Sequence, residues 1–215
     1  MSETRPVEAT STTIRDEAEL RRLLGEPGDL VRAKVGDRLN ELTRQFVDRS
    51  PFVLLATSAP DGTCDVSPRG DPPGFVRVLD ERTLLLPDRP GNRLADSLRN
   101  ILANPNVGLL FVVPGIGDTL RVNGRATLVT DEDLLGSSAV EGKLPRLGIL
   151  VEIDAVFTHC SKAFLRSQLW DPTRYLERRE LPSSGEIHRR RDPSFDADAY
   201  DADRAERYAR REGFY

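Results

Sequence analysis

No stretch of the 215-residue chain approaches the roughly 18 consecutive apolar residues of a membrane-spanning helix, so no transmembrane segment is expected. The opening MSETRPVEATSTTIRDEAEL has no apolar core and does not read as a secretory signal. Cysteine is scarce. Cys64 and Cys160 do not make a disulfide framework, and without a secretion signal they point to a reducing cytoplasm. Two histidines, His159 and His188, cannot supply a zincin motif and no C-x-x-C occurs, so a metal site of protein ligands alone is not expected. Neither G-x-S-x-G nor G-x-x-x-x-G-K-S/T is present. Gly115 and Gly117 lack the third glycine of a dinucleotide fingerprint and sit between two strand-like runs, as a hairpin loop would. A self-contained hydrolase or nucleoside-triphosphate enzyme is therefore disfavoured, and chemistry carried by a bound cofactor rises by elimination. Lysine is limited to Lys34, Lys143 and Lys162, so the basic charge is nearly all arginine. With 31 basic against 35 acidic residues the net charge is −4, which argues against a general nucleic-acid binder.

What is present, 38% hydrophobic and 31% charged residues, suits a soluble globular protein. Residues 1–13 are polar and Ser/Thr-rich and read as disordered. Asp16 to Leu24 reads as a short helix stopped by Gly25, Pro27 and Gly28. A longer helix is expected next, with Val31, Val35, Leu39, Leu42 and Phe46 as one buried stripe and Pro51 as its end. Residues 14–50 are thus read as helices packed on a barrel. The period then changes to that of strands, at residues 52–58, 64–67, 74–79, 83–86, 107–113, 119–130 and 148–158. In the run from Thr119, Leu120, Val122, Gly124, Ala126 and Leu128 share one face, while Arg121, Asn123, Arg125 and Thr127 take the other. One face should meet a core and the other a polar site or partner.

A helix interrupts the strands, with Asn92 or Gly91 as its cap, Leu94, Leu98, Ile101 and Leu102 as its stripe, and Asn104-Pro105 as its end. Short turns with one inserted helix predict a mainly β, α+β protein, with an antiparallel barrel over residues 51–170 and peripheral helices. Of the last 45 residues, 21 are Asp, Glu or Arg, so residues 171–215 read as a charged helical extension. Within it, residues 196–211 form an exposed helix, either an arm on a partner subunit or a solvated tail.

Two segments carry more polar punctuation than folding requires: Asp65-Val-Ser-Pro-Arg-Gly-Asp71, and Pro87-Asp-Arg-Pro-Gly-Asn-Arg93 running into Ser97-Leu-Arg-Asn100. Each sets arginine beside hydroxyl, amide and glycine groups next to a strand or helix start, a favourable phosphate seat. The plainer alternative is a pair of charged turns in which Arg69 meets Asp71 and Arg89 meets Asp88.

These segments, with LLATSAPDGTCDVSPRGDPPGFV, LLLPDRPGNRLADSLRNILANPNVGLLF, TLRVNGRA and HCSKAFLRSQLW, resemble the pyridoxamine 5′-phosphate oxidase-like flavoproteins, the FMN-binding split-barrel family. The resemblance spans roughly residues 28 to 172 and is nearest to a subgroup of FMN-dependent enzymes. It implies a six-stranded antiparallel Greek-key split barrel and a homodimer with paired FMN sites between subunits. By motif position it implies that Ser67 and Arg69 contact FMN and that Asp88 lies beside the isoalloxazine ring. Asn92, Arg93 and Ser97 fall where a helix start holds the ribityl-phosphate. Thr119 and Arg121 match the interface strand, and Trp170 corresponds to a family tryptophan near the flavin. Lys162 and Arg166, one helical turn apart, either reach a phosphate across the interface or lie on a solvated helix face. Where the oxidase proper has an arginine-lysine pair at the helix start, this chain has Asp96 and Ser97, and a longer loop brings in Arg93. The oxidase's C-terminal arginine and histidine pair is not recognisable, although His188 precedes Arg189, Arg190 and Arg191. Flavin binding is thus implied, and pyridoxamine phosphate oxidation is not.

The expectation is an FMN-dependent oxidoreductase in the cytoplasm, a homodimer taking a small-molecule substrate or a donor such as NADH or NADPH, with no nucleic acid and no membrane partner. A deazaflavin (F420) enzyme on the same barrel and a non-catalytic flavin-storage protein are the alternatives. Cys64 and Cys160 read as packed thiols and His159 as a structural strand-end residue.

Overall fold

The computed structural model describes residues 13–215, so the segment read as disordered lies, apart from Thr13, outside the described residues. The chain divides into two compact units at Val35/Gly36. In the first, α1 (Glu17–Leu24) begins where the Asp16 carboxylate accepts the Glu19 N–H at 2.8 Å and ends at Gly25, whose φ of 75° few other residues adopt. Helix α2 (Asp29–Ala33) is a short turn, and neither helix buries a residue.

The second unit opens by breaking the expected long helix. Gly36 exchanges two main-chain hydrogen bonds with Val156, at 3.0 and 2.7 Å, and the Leu39 N–H donates to the Glu81 carbonyl at 2.8 Å. This pairing overrides the apolar period. Val31, Val35 and Leu42 are exposed, and of the predicted stripe only Leu39 and Phe46 reach the core. The helix resumes as α3 (Glu41–Arg49), where Asn40 and Thr43 form a reciprocal capping box and Val47 is fully buried.

Seven strands follow: β1 (Phe52–Ser58), β2 (Cys64–Gly70), β3 (Arg77–Asp80), β4 (Thr83–Pro87), then α4 (Asp96–Ala103), β5 (Asn106–Val112), β6 (Thr119–Val129), α5 (Glu132–Gly136) and β7 (Gly148–His159). They pair antiparallel in the order β2-β1-β5-β6-β7-β4-β3. The mainly antiparallel class with peripheral helices is as expected, but the strands number seven rather than six and the sheet is open, with β2 and β3 at its edges. Val53 and Leu55, Leu109 and Phe111, Leu120 and Val122, Val151 and Ile153, and Leu84 and Leu86 face one core, which Val47 of α3 and Ile101 of α4 join. At Asn123/Gly124 the β6–β7 register slips so that Asp154 of β7 is the extra residue. Gly124 is required there, because a β-carbon would collide with the Glu152 carbonyl oxygen.

Beyond β7 come α6 (Lys162–Ser167), two short helical turns, α7 (Ser184–Arg191) and α8 (Ala197–Ala209). The last two pack on each other: the Gly185 N–H donates to Asp201 at 3.0 Å, Arg204 donates to Ser184 at 2.7 Å, and the rings of His188, Phe195 and Tyr200 cluster. Among the described residues no helix is long and apolar enough to cross a membrane. Both cysteines are exposed, contrary to their reading as packed thiols. Cys64 lies on the outward face of an edge strand, and Cys160 follows the end of β7.

Candidate flavin site

Alternation on β2 turns Asp65, Ser67 and Arg69 to the core side, opposite Thr57, Leu55 and Val53 of β1. The inner face thus becomes polar at the edge of the sheet, and the start of α4 covers it. The buried Ser97 hydroxyl donates to Asp65 at 2.5 Å and lies 3.0 Å from the Ser67 hydroxyl. Arg69 donates from Nε to Ser67 at 3.2 Å and from Nη1 to Asp88, just past β4, at 2.5 Å. With the Ser97 proton committed to Asp65, Ser67 must be the donor between the two serines. One polarised chain results, from Arg69 through Ser67 and Ser97 to Asp65. Arg69 and Asp88 are 19% and 22% exposed, which leaves one side of the pair open to a ligand.

The expected turn pairings are exchanged. Arg69 meets Asp88, and Arg89 meets Asp71 at 2.7 Å while also donating to the Ser138 carbonyl at 2.8 Å. Neighbours in sequence are not neighbours in space here, because β2 and β4 bring the two turns together from different parts of the sheet.

The helix cap is also different. Helix α4 begins after Ala95, not at Asn92 or Gly91, and its start has no side-chain cap. Asn92 instead accepts the Leu94 N–H at 3.0 Å in a local turn. Arg93 and Ala95 both take left-handed backbone, at φ 64° and 58°. Arg93 is exposed and makes no ion pair among the described residues. The structure therefore joins Ser67, Arg69, Asp88 and Ser97 and leaves Asn92 and Arg93 outside their hydrogen-bonded chain. Asp65, missed in the sequence reading, belongs with them; its alternation with Ser67 and Arg69 was the available signal.

A second group lies where β6 and β7 meet. Thr119 is buried and pairs with His159, and Arg121 lies on the outward face with its guanidinium 5.2 Å from the centre of the Phe157 ring. Arg121 has no carboxylate partner among the described residues. Burial, and then the Arg121 charge, lower the pKa of His159 from its ordinary value, which favours the neutral ring. Trp170 stacks on Phe164 and donates to the Ile116 carbonyl at 2.9 Å, while Lys162 and Arg166 are exposed on α6.

The sequence matches the family model described as pyridoxamine 5′-phosphate oxidase over residues 39–160, more than half of the chain. The chain belongs to the pyridoxamine 5′-phosphate oxidase family. Similar solved structures include HupZ of group A Streptococcus (15% identity, covering 56% of this chain and 93% of that one, TM-score 0.47). A FAD-binding protein of Mesorhizobium loti is 20% identical, covering 58% of this chain and 96% of its own, with a TM-score of 0.40. An F420 reductase is 23% identical, covering 55% and 98%, with a TM-score of 0.41. No match was found among curated proteins.

The donor set fits a flavin phosphate in part. The remaining N–H groups of Arg69 and the uncapped first turn of α4 can face an anion, whereas both serine protons are committed within the chain. Asp65 and Asp88 oppose a dianion at the centre of the cluster but can accept from hydroxyl or ring N–H groups. These residues therefore suit a ligand that carries hydroxyls and a phosphate together, with the phosphate toward α4 and Arg93.

Proposed function

We propose that this chain is an FMN-dependent oxidoreductase whose cofactor lies against the Arg69–Ser67–Ser97 chain and the start of α4. The observation that carries this reading is that chain itself, which passes through Ser97 in the uncapped first turn of α4 in a member of this family. Arg69, Arg93 and the first-turn N–H groups of α4 would hold the ribityl-phosphate, Ser67 and Ser97 would fix Arg69 in place, and Asp88 would lie at the ring. Bound FMN would supply hydride or electron transfer, while the protein supplies position and electrostatics.

A second copy completes the site in this reading. The outward face of β1 and β5 presents Phe52, Leu54, Ala56, Leu110 and Val112 as a half-exposed apolar surface with Arg121 beside it. Unpartnered apolar sheet of this kind favours burial between subunits. The partner would then bring Thr119, Arg121, Lys162, Arg166 and Trp170 toward the flavin.

Mass spectrometry of the small molecule released from freshly purified protein, with the absorbance spectrum before release, tests the cofactor. FMN is expected; bound deazaflavin would move the chain to the F420 reading. Reduction of the bound flavin by NADH or NADPH in a single turnover is expected, whereas tight binding without reduction by any donor would make it a storage protein. Sedimentation should give a dimer, and a stable FMN-loaded monomer of 24 kDa would remove the shared site.

A further inference from the structure

Tyr215 lies far along the chain from both polar turns, yet it closes on them. Its hydroxyl donates to Oδ1 of Asp71 at 2.6 Å, while Arg89 donates to Oδ2 of the same carboxylate. The guanidinium groups of Arg89 and Arg211 lie 5.2 and 5.6 Å from the centre of its ring. Lys143 donates to its main-chain oxygen at 3.4 Å, and Arg211 pairs with Glu141 at 2.9 Å. The Asp71 side chain is only 2% exposed, so both of its oxygens are committed inside the protein. Hydrogen bonding to Asp71 and burial raise the pKa of the tyrosine, which keeps it a donor.

The consequence falls on Arg69. Asp71 follows it by two residues, and Asp88 adjoins Arg89. Were one Asp71 oxygen free, Arg69 would have two carboxylates to choose between. A carboxylate oxygen can accept twice, but with the Tyr215 hydroxyl at Oδ1, Arg89 at Oδ2 and the side chain 2% exposed, the space at both oxygens is filled, and Arg69 pairs with Asp88. We propose that Tyr215 is a positioning residue: by occupying the second oxygen of Asp71 it directs Arg69 to Asp88 and holds the guanidinium where the ligand binds. The functional part of this rests on the flavin reading, whereas the positioning part does not.

Tyr215→Phe is the test, because it keeps the ring between the two guanidinium groups and removes only the hydroxyl. Affinity for FMN is expected to fall about tenfold, the lower end of what a misplaced charged hydrogen bond costs. The NMR signal of the Arg69 Nε–H in ligand-free protein should move, and hydrogen exchange in residues 67–71 and 87–93 should quicken. Tyr215→Ala, which also loses the ring, separates anchoring from positioning through its melting temperature. If Tyr215→Phe matches the wild type in FMN affinity, Arg69 signal and exchange while Tyr215→Ala merely melts earlier, Tyr215 is an anchor and the proposal is overturned. If the wild type takes up no flavin, the flavin reading fails, and the Arg69 signal alone decides the positioning: moved supports it, unmoved ends it.

Discussion

Two arginine–aspartate pairs sit side by side in this fold and differ in what surrounds them. Arg89–Asp71 is sealed: its carboxylate is 2% exposed, Tyr215 donates to that carboxylate, and Arg89 also donates to the Ser138 carbonyl. Arg69–Asp88 is open, about a fifth exposed on both sides, and its arginine passes a hydrogen bond on to Ser67. Turns of similar composition thus yield one pair that closes the structure and one that faces a ligand. A buried pair is costly to break because the survivor keeps its charge without water. Asp71→Ala should therefore destabilise the protein by about 3–5 kcal/mol, read from denaturant unfolding. A loss below about 1 kcal/mol would mean that the pair is wetter than its geometry and no different in kind from its neighbour.

The open pair should respond in binding more than in folding. Asp88 can be hydrated when Arg69 is removed, so Arg69→Ala should cost little stability. It should weaken FMN by about 1.5–3 kcal/mol, tenfold to a hundredfold, and riboflavin by less. Isothermal titration with both ligands checks this. Equal losses for the two would move Arg69 from the phosphate to the ring, next to Asp88, and relocate the phosphate toward Arg93.

This contrast was only half legible in the sequence. Arginine, serine and glycine at both turns were visible, as was the alternation that puts Leu120 and Val122 on one face of β6 and Arg121 on the other. Partner choice was not, because it depends on how β2 and β4 are set within one sheet and on a tyrosine at the far end of the chain. The break between α2 and α3 was hidden for a related reason: the apolar spacing continues through residues 31–46, and only main-chain pairing of Gly36 with Val156 stops the helix. At α4, Asn92 and Gly91 are better caps than Ala95 by preference, so a start on a left-handed alanine carried no local signal. The inner strands were read well because each has one buried face, whereas the edge strands β2 and β3, which contain no buried residue, were read with other bounds. Among the helices that bury little, α1 and α8 were read nearly to their bounds, whereas α2 was run into α3.

Arg121 extends the comparison to an arginine with no carboxylate partner among the described residues. Its charge adds to burial in lowering the His159 pKa, so the folded protein resists protonating that ring. A lowered folded pKa gives stability that is present above the ordinary histidine value, about 6.5, and is lost as pH falls through the lower folded value. Arg121→Ala should raise the His159 pKa, followed by NMR, and shrink the loss of stability on the acid side. An anion bound beside Arg121 should do the same in the wild type. A His159 titration that ignores both the substitution and added FMN would separate this arginine from any ligand and leave Arg69 and Arg93 to hold the phosphate.

The smallest effect is expected at the left-handed Ala95 that starts α4. Glycine adopts φ 58° without the clash that a β-carbon meets, but it also has more freedom to lose on folding. Ala95→Gly should therefore raise stability by no more than about 1 kcal/mol, a small upward shift in melting temperature. The sign of its effect on binding carries the information. If the alanine only tolerates strain, FMN affinity stays put while stability rises. If the strained residue holds the first-turn N–H groups of α4 in place for the phosphate, the more mobile glycine raises stability and lowers FMN affinity together. Riboflavin, which has no phosphate, should then be unaffected. Opposite movement of stability and FMN affinity is expected, and parallel movement would return the start of α4 to the class of ordinary helix ends, such as the fully capped α3.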